Sequence, residues 1–183
     1  MTNTPQTPAI YKRGGAGARI WFGLAPSELG EILVATTEIG VCLVALGDDA
    51  SVLEADLRAE FFAATIERDD ARLHEQLRVV NEVLAGKAAP SALPLDVRAT
   101  AFQARAWREL RAIPVGQTRT YAQIAEALEM PTAARAVARA CATNPLALLT
   151  PCHRVVRGDG NLAGYRWGIE RKKRLLEIEK ERA

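Results

Sequence analysis

A chain of 183 residues, 49% hydrophobic but only 5% aromatic, can hold one ordinary domain or two small ones around a core of Leu, Val, Ile and Ala. No apolar run could span a bilayer and the N-terminus lacks a signal-peptide pattern, so a cytoplasmic protein without a membrane partner is expected; three scattered cysteines, Cys42, Cys141 and Cys152, and two histidines exclude a disulfide framework and give no metal-ligand spacing. Net charge is +2 but unevenly spread: up to Pro90 there are 8 Lys and Arg against 13 Asp and Glu, and beyond it 16 against 9, which points the second part at an anionic partner, nucleic acid first.

Residues 1–16 are rich in Thr, Pro, Gly and Ala without periodicity and read as a flexible arm ending in Tyr11-Lys12-Arg13-Gly14-Gly15. Residues 19–22, 31–36 and 41–46 are short β-branched runs separated by Pro26-Ser27 and Glu38-Ile39-Gly40. They predict a small antiparallel sheet with Gly40 closing a hairpin. Gly47-Asp48-Asp49 stops the third strand and offers an N-cap for a helix to about Glu60. A second helix is expected from about Asp70 to Leu84, with Leu73, Leu77, Val80 and Leu84 on one stripe and Gly86 ending it; His74 within it reads as an ordinary surface residue. Residues 17–90 are thus expected to form an α/β domain, and 91–183 a mostly helical one, with a linker or short extended piece over 88–94.

The second part turns basic. Residues 101–111 set Phe102, Ala106, Trp107 and Leu110 at helical spacing with Arg105, Arg108 and Arg111 opposite, and Ile113-Pro114-Val115-Gly116 breaks the helix. A short helix over 121–128, a turn at Glu129-Met130-Pro131 and a helix capped by Thr132 and running to about Thr143 have the outline of a helix-turn-helix. That last helix is rich in alanine, with Arg135 and Arg139 four apart. The composition suits a high-propensity helix packed on its neighbours, and its thin profile also suits close approach to a narrow groove, hence minor-groove binding of double-stranded DNA.

Asn144-Pro145 ends the helix, and an apolar run over 146–149 leads to Pro151-Cys152-His153-Arg154-Val155-Val156. A thiol reacts as the thiolate, and His153 and Arg154 supply a base and a positive charge next to it. The pair reads either as a small buried cysteine beside a surface histidine or as a nucleophile with its base. Asn144 is either an ordinary turn residue or a tie between helix and reactive segment. After a turn over 157–161 come Gly164-Tyr165-Arg166-Trp167-Gly168 and a closing helix over 169–182 with Leu175, Leu176 and Ile178 apolar; Glu179 on it would ordinarily be a solvated charge.

With those residues in view, the chain resembles the O6-alkylguanine-DNA alkyltransferases, or methylated-DNA–protein-cysteine methyltransferases. Pro151-Cys152-His153-Arg154-Val155-Val156 resembles their active-site signature. Tyr121, Arg135, Asn144, Tyr165 and Glu179 match the family pattern aligned on Cys152, and Gly164-Tyr165-Arg166-Trp167-Gly168 is similar to the bacterial Ada branch. The match is strong from about Leu95 to Glu179.

The resemblance implies a ribonuclease-H-like N-terminal domain and a DNA-binding domain carrying the cysteine, acting as a monomer without a cofactor. It implies stoichiometric transfer of a methyl group from O6 of guanine, less readily O4 of thymine, onto Cys152. His153 would act through a water, oriented by Glu179. Tyr121, Val155, Tyr165, Arg166 and Trp167 would bind the extruded base. Arg135 would fill the vacated stack, and Arg139, Ala134, Thr132 and Arg154 would contact DNA. Asn144 would be the hinge between recognition helix and active site. Trp167 and Ala147 stand where some members have glycine and proline beside the alkyl pocket, which implies a narrow pocket preferring methyl to benzyl. The Ada branch's N-terminal cysteine cluster has no counterpart before Cys42. Two other readings stand beside this one. A cysteine hydrolase is disfavoured because a base adjacent in sequence would point away on an extended chain. A non-catalytic sensor of alkylated DNA would lack the nucleophile.

Overall fold

A computed structural model describes residues 14–182, which divide into two compact units. One comprises the residues up to Glu82 with Ser91–Arg98, the other Val83–Pro90 with the residues from Ala99 on. The arm expected over 1–16 lies, up to residue 13, outside the described residues. No described helix is long and apolar enough to cross a membrane.

In the first unit, β1 (Arg19–Ser27), β2 (Gly30–Thr36) and β3 (Val41–Gly47) form antiparallel neighbours, followed by α1 (Ala50–Glu60), β4 (Thr65–Arg68) and α2 (His74–Leu84), whose last two residues fall in the second unit. The strand order is β3-β2-β1-β4, and β4 runs parallel to β1. The sheet is therefore mixed, which corrects the purely antiparallel expectation. Thr65-Ile66-Glu67-Arg68 has one apolar residue and no alternation to announce a strand.

Both faces of this sheet are covered, which explains why β2 and β3 are buried in unbroken runs rather than at alternate residues. The Arg58 guanidinium of α1 lies 5.9 Å from the Phe22 ring, whereas Arg72, preceding α2, stacks at 3.8 Å on Trp21, on the opposite face. Asp49 caps α1 by accepting from the Ser51 amide at 2.7 Å. Helix α2 begins at His74 rather than near Asp70, because the Asp70 carboxylate accepts the Leu24 amide of β1 at 3.0 Å and holds 70–73 as a turn.

The second unit contains α3 (Ala101–Arg111), β5 (Arg119–Thr120), α4 (Tyr121–Ala127), α5 (Ala134–Ala142), β6 (Val155–Val156) and α6 (Ile169–Arg182), with β5 parallel to β6. Capping boxes Thr100/Gln103 and Thr120/Gln123 start α3 and α4. Helix α4 stops without glycine: Glu129 takes φ 60°, and the Met130 amide donates to Ala125 O at 2.9 Å. Thr132 does not cap α5. It lies in a 3-10 turn, Pro131–Ala133, and Ala133 precedes α5 without a side-chain cap. Trp107 of α3 is buried and donates its indole N–H to Ala140 O at 2.9 Å, joining α3 to the end of α5.

Gly40 shows how tightly the first unit is closed. Val41 N donates to Pro94 O, and a Cβ on Gly40 would lie 2.5 Å from that same oxygen. Gly40→Ala is expected to lower unfolding free energy by about 1–3 kcal/mol in urea titrations; an unchanged midpoint would contradict this packing.

Candidate active site

The path from α5 to Cys152 is fixed by one side chain and two tight turns. Asn144 is fully buried. Its Oδ1 accepts from Leu146 N at 3.0 Å, and its Nδ2 lies 3.2 Å from Leu146 O, 2.8 Å from Thr150 O and 3.2 Å from Cys152 Sγ. Leu149 N donates to Ala147 O at 2.7 Å across Leu148, whose φ of 66° is a conformation leucine seldom adopts. Such strain costs of order 1–3 kcal/mol. Cys152 N donates to Thr150 O at 2.8 Å across Pro151, at φ −78° and ψ 63°, an inverse γ-turn that proline's ring favours. Cys152–Arg154 then forms a 3-10 turn, so the base beside the thiol is not on an extended chain as expected.

Behind the thiol, α6 brings Glu179 to His153 and Arg154. His153 Nε2 is 2.8 Å from Glu179 Oε1, and the Arg154 Nε and Nη2 meet the same carboxylate at 2.8–3.1 Å. Glu179 is 12% exposed rather than solvated. Burial alone would raise its carboxyl, but hydrogen bonds from His153 and then Arg154 outweigh this and bring it down to about 2. Burial lowers the His153 pKa against the pull of Glu179. With an ionised carboxylate accepting from Nε2, the neutral ring carries its proton there, and Nδ1 holds the free lone pair. The ring is set to receive a proton at Nδ1.

Arg154 was expected among the DNA contacts, and this is corrected. It is 6% exposed, its fork is occupied by Glu179, and its Nη1 donates to Ile113 O at 2.6 Å. Its charge holds the His153–Glu179 pair in place. Removing one member of such a buried pair costs about 3–5 kcal/mol.

Cys152 is 3% exposed. Burial raises its pKa, and the Asn144 amide followed by the charge of Lys172 work against that rise. Lys172 of α6 is fully buried and donates to Val155 O at 2.6 Å. Its own pKa is lowered by burial, with the thiols of Cys152 and Cys141 opposing. Tyr121, the first residue of α4, is half-buried; burial and the two thiols push its hydroxyl up to about 12. On the other side the Tyr165 ring stands edge-on to His153 at 6.4 Å and to Trp167 at 5.1 Å. Ala147 and Val155 are buried, and Arg166 reaches Asn144 O at 3.4 Å.

Cys152, His153, Glu179, Asn144, Tyr121, Val155, Tyr165, Arg166 and Trp167 therefore all belong to one neighbourhood. The residues expected to meet DNA form a separate group on the α4–α5 segment: Thr132, Arg135 and Arg139 are exposed and Ala134 half-buried. Lys172 escaped the sequence reading. Its signal was available, because residues 172, 175, 178 and 179 share one face of α6, and a lysine on that apolar stripe must be buried with a partner.

The comparisons with known proteins agree with this geometry. Residues 101–181 match the family model described as 6-O-methylguanine DNA methyltransferase, DNA binding domain. The chain is 47% identical over 175 residues to the Escherichia coli bifunctional transcriptional activator/DNA repair enzyme Ada, covering 96% of this chain and 49% of that protein. The fold resembles the crystal structure of Mycobacterium tuberculosis O6-methylguanine methyltransferase, at TM-score 0.74 and 33% identity over 90% of this chain and 94% of that one. It is similar also to the M. tuberculosis OGT structure in complex with DNA, at TM-score 0.74 and 34% identity over 89% and 94%. The chain spans about half the length of the Ada proteins it matches. On the family match, the identity and the shared fold, the chain belongs to the O6-methylguanine DNA methyltransferases.

Proposed function

We propose that this chain repairs DNA by moving a methyl group from O6 of guanine, and less readily O4 of thymine, onto Cys152, once per molecule. The observation that carries the reading is the hydrogen-bonded series from Glu179 to His153 beside Cys152, whose sulfur also accepts from Asn144. Family membership supports it. Residues 17–90 would be the α/β domain, of ribonuclease-H-like outline, and residues 91–183 the transfer domain with a helix-turn-helix over α4 and α5. The protein would act as a cytoplasmic monomer on double-stranded DNA.

The chemistry follows from the charges. The thiol proton passes through a water to His153 Nδ1, and the imidazolium is stabilised by Glu179. The thiolate attacks the methyl carbon in line: the S–C bond forms as the C–O bond breaks. The electron pair goes to guanine, which ends with the proton the thiol gave up, aided by the Tyr121 hydroxyl. Val155, Tyr165, Arg166 and Trp167 would surround the base. The product is a thioether, which no group in the site cleaves.

A thiol this buried cannot meet O6 of a base inside a duplex, so the nucleotide must leave the stack. Unstacking costs a few kcal/mol, and the exposed Arg135 guanidinium is suited to occupy the space left behind. Arg139, Ala134 and Thr132 would rest on the backbone along the minor groove, with Asn144 as the hinge to the thiol.

Incubation with duplex containing O6-methylguanine should add one methyl to the Cys152 peptide in mass spectra and none in Cys152→Ala; bound DNA with an unmodified peptide would instead identify a non-catalytic sensor. By the family resemblance Trp167 and Ala147 would flank the alkyl pocket and narrow it, so methylated guanine should react at least about tenfold faster than benzylated guanine, and equal rates would sink the narrow-pocket reading. Arg135→Ala should slow transfer from duplex by about ten- to a hundredfold, the equivalent of roughly 1.4–2.8 kcal/mol, and affect single-stranded substrate much less; equal slowing on both would remove the stack-filling role.

A further inference from the structure

Two buried polar atoms of the site, His153 Nδ1 and the Tyr165 hydroxyl, have no protein group within hydrogen-bonding distance among the described residues. Native structures rarely leave such groups unmatched, and when they do the site usually has a use for them. These two belong together. Their rings meet edge to face at 6.4 Å between centroids, no hydrogen bond joins the two atoms, and Trp167 packs on Tyr165 at 5.1 Å. The hydroxyl also lies within the electrostatic reach of Cys152 and Glu179.

We propose, resting on the transfer reading above, that Tyr165 is a positioning residue for the proton path out of Cys152: its hydroxyl donates to the oxygen of the water that links Cys152 Sγ and His153 Nδ1. A water has two acceptor positions and two hydrogens. With Tyr165 on one acceptor position, the other faces the thiol hydrogen, and one water hydrogen faces the Nδ1 lone pair. As Sγ–H breaks, a new O–H forms on the water while one of its own hydrogens passes to Nδ1. The water is regenerated, and thiolate and imidazolium are the products. Tyr165 keeps its own proton throughout. Burial, followed by the neighbouring Cys152 and Glu179, raises its pKa well above the usual value, so it stays a donor over the whole working range. This role is distinct from lining the alkyl pocket, which the ring alone could do.

Tyr165→Phe separates the two roles, because it keeps the ring and removes only the donor. Methyl transfer from O6-methylguanine duplex to the Cys152 peptide would be timed by mass spectrometry from about pH 6 to about pH 9, beside alkylation of the same peptide by iodomethane in the DNA-free protein. The variant should be about tenfold slower in both assays near neutral pH, the effect of one lost hydrogen bond, and should approach the unaltered chain as hydroxide takes over the thiol proton. Rates and pH profiles matching the unaltered chain would overturn the proposal, as would slowing by the same factor at every pH, the signature of packing alone. An unaltered chain that leaves Cys152 unmethylated by DNA would overturn the transfer reading instead. The iodomethane profile would then still decide the part played by Tyr165.

Discussion

The side-chain amide of Asn144 is the constraint on which the site depends. One buried residue satisfies the backbone at Leu146 and Thr150 and still reaches the sulfur of Cys152. Between those anchor points the chain makes two γ-turns, one of them with Leu148 at positive φ. A strained loop persists only where its surroundings over-determine it, and here the surroundings are a single amide and a fully apolar run. The same amide directs an N–H at sulfur, so the contact that shapes the loop also favours the charged thiol. Only Thr143 separates Asn144 from the end of α5, and any shift of that helix would be felt at Cys152 Sγ.

The second organising feature is the distribution of buried charge. Glu179 accepts from an imidazole and a guanidinium together, and the guanidinium lets the carboxylate stay ionised without forcing a proton onto the histidine. A lone His–Glu pair at this depth would exchange its proton more freely. Lys172 plays the corresponding part for the thiols, as a cation enclosed beside two groups that resist ionisation. Two positive side chains and one carboxylate from α6 and the 3-10 turn thus set which groups in the site carry protons at rest.

Much of this was legible from local signals. The bounds of α3 and α6 coincide with the expected 101–111 and 169–182, because the first is flanked by a capping Thr100 and a proline-glycine break and the second by a glycine. The first three strands grow from the runs at 19–22, 31–36 and 41–46, but β1 continues through Pro26-Ser27, expected to be a turn, and the chain reverses at Glu28-Leu29 instead. Strand β4 was not legible, since its four residues become a strand only by pairing with β1. Thr132 had the chemistry of a cap, but Pro131 opened a 3-10 turn in front of the helix. Arg154 is the instructive case. In a basic segment beside a reactive thiol a guanidinium reads as DNA-facing, and only the approach of Glu179, 25 residues further along, turns it inward. The candidate site residues came from the resemblance to the family pattern aligned on Cys152, whereas the place of Lys172 depends on which face of α6 is buried.

The concealment of Cys152 also bears on the lifetime of the resting molecule. Small oxidants and electrophiles attack thiolates at exposed positions, and this sulfur is neither exposed nor readily ionised. Under the proposed function, in which Cys152 reacts once, an exposed thiol would be inactivated by chance encounters before it met a substrate. On that proposal depth works as storage: the thiol would stay reduced and unreacted until a ligand brought a reacting carbon into the interior.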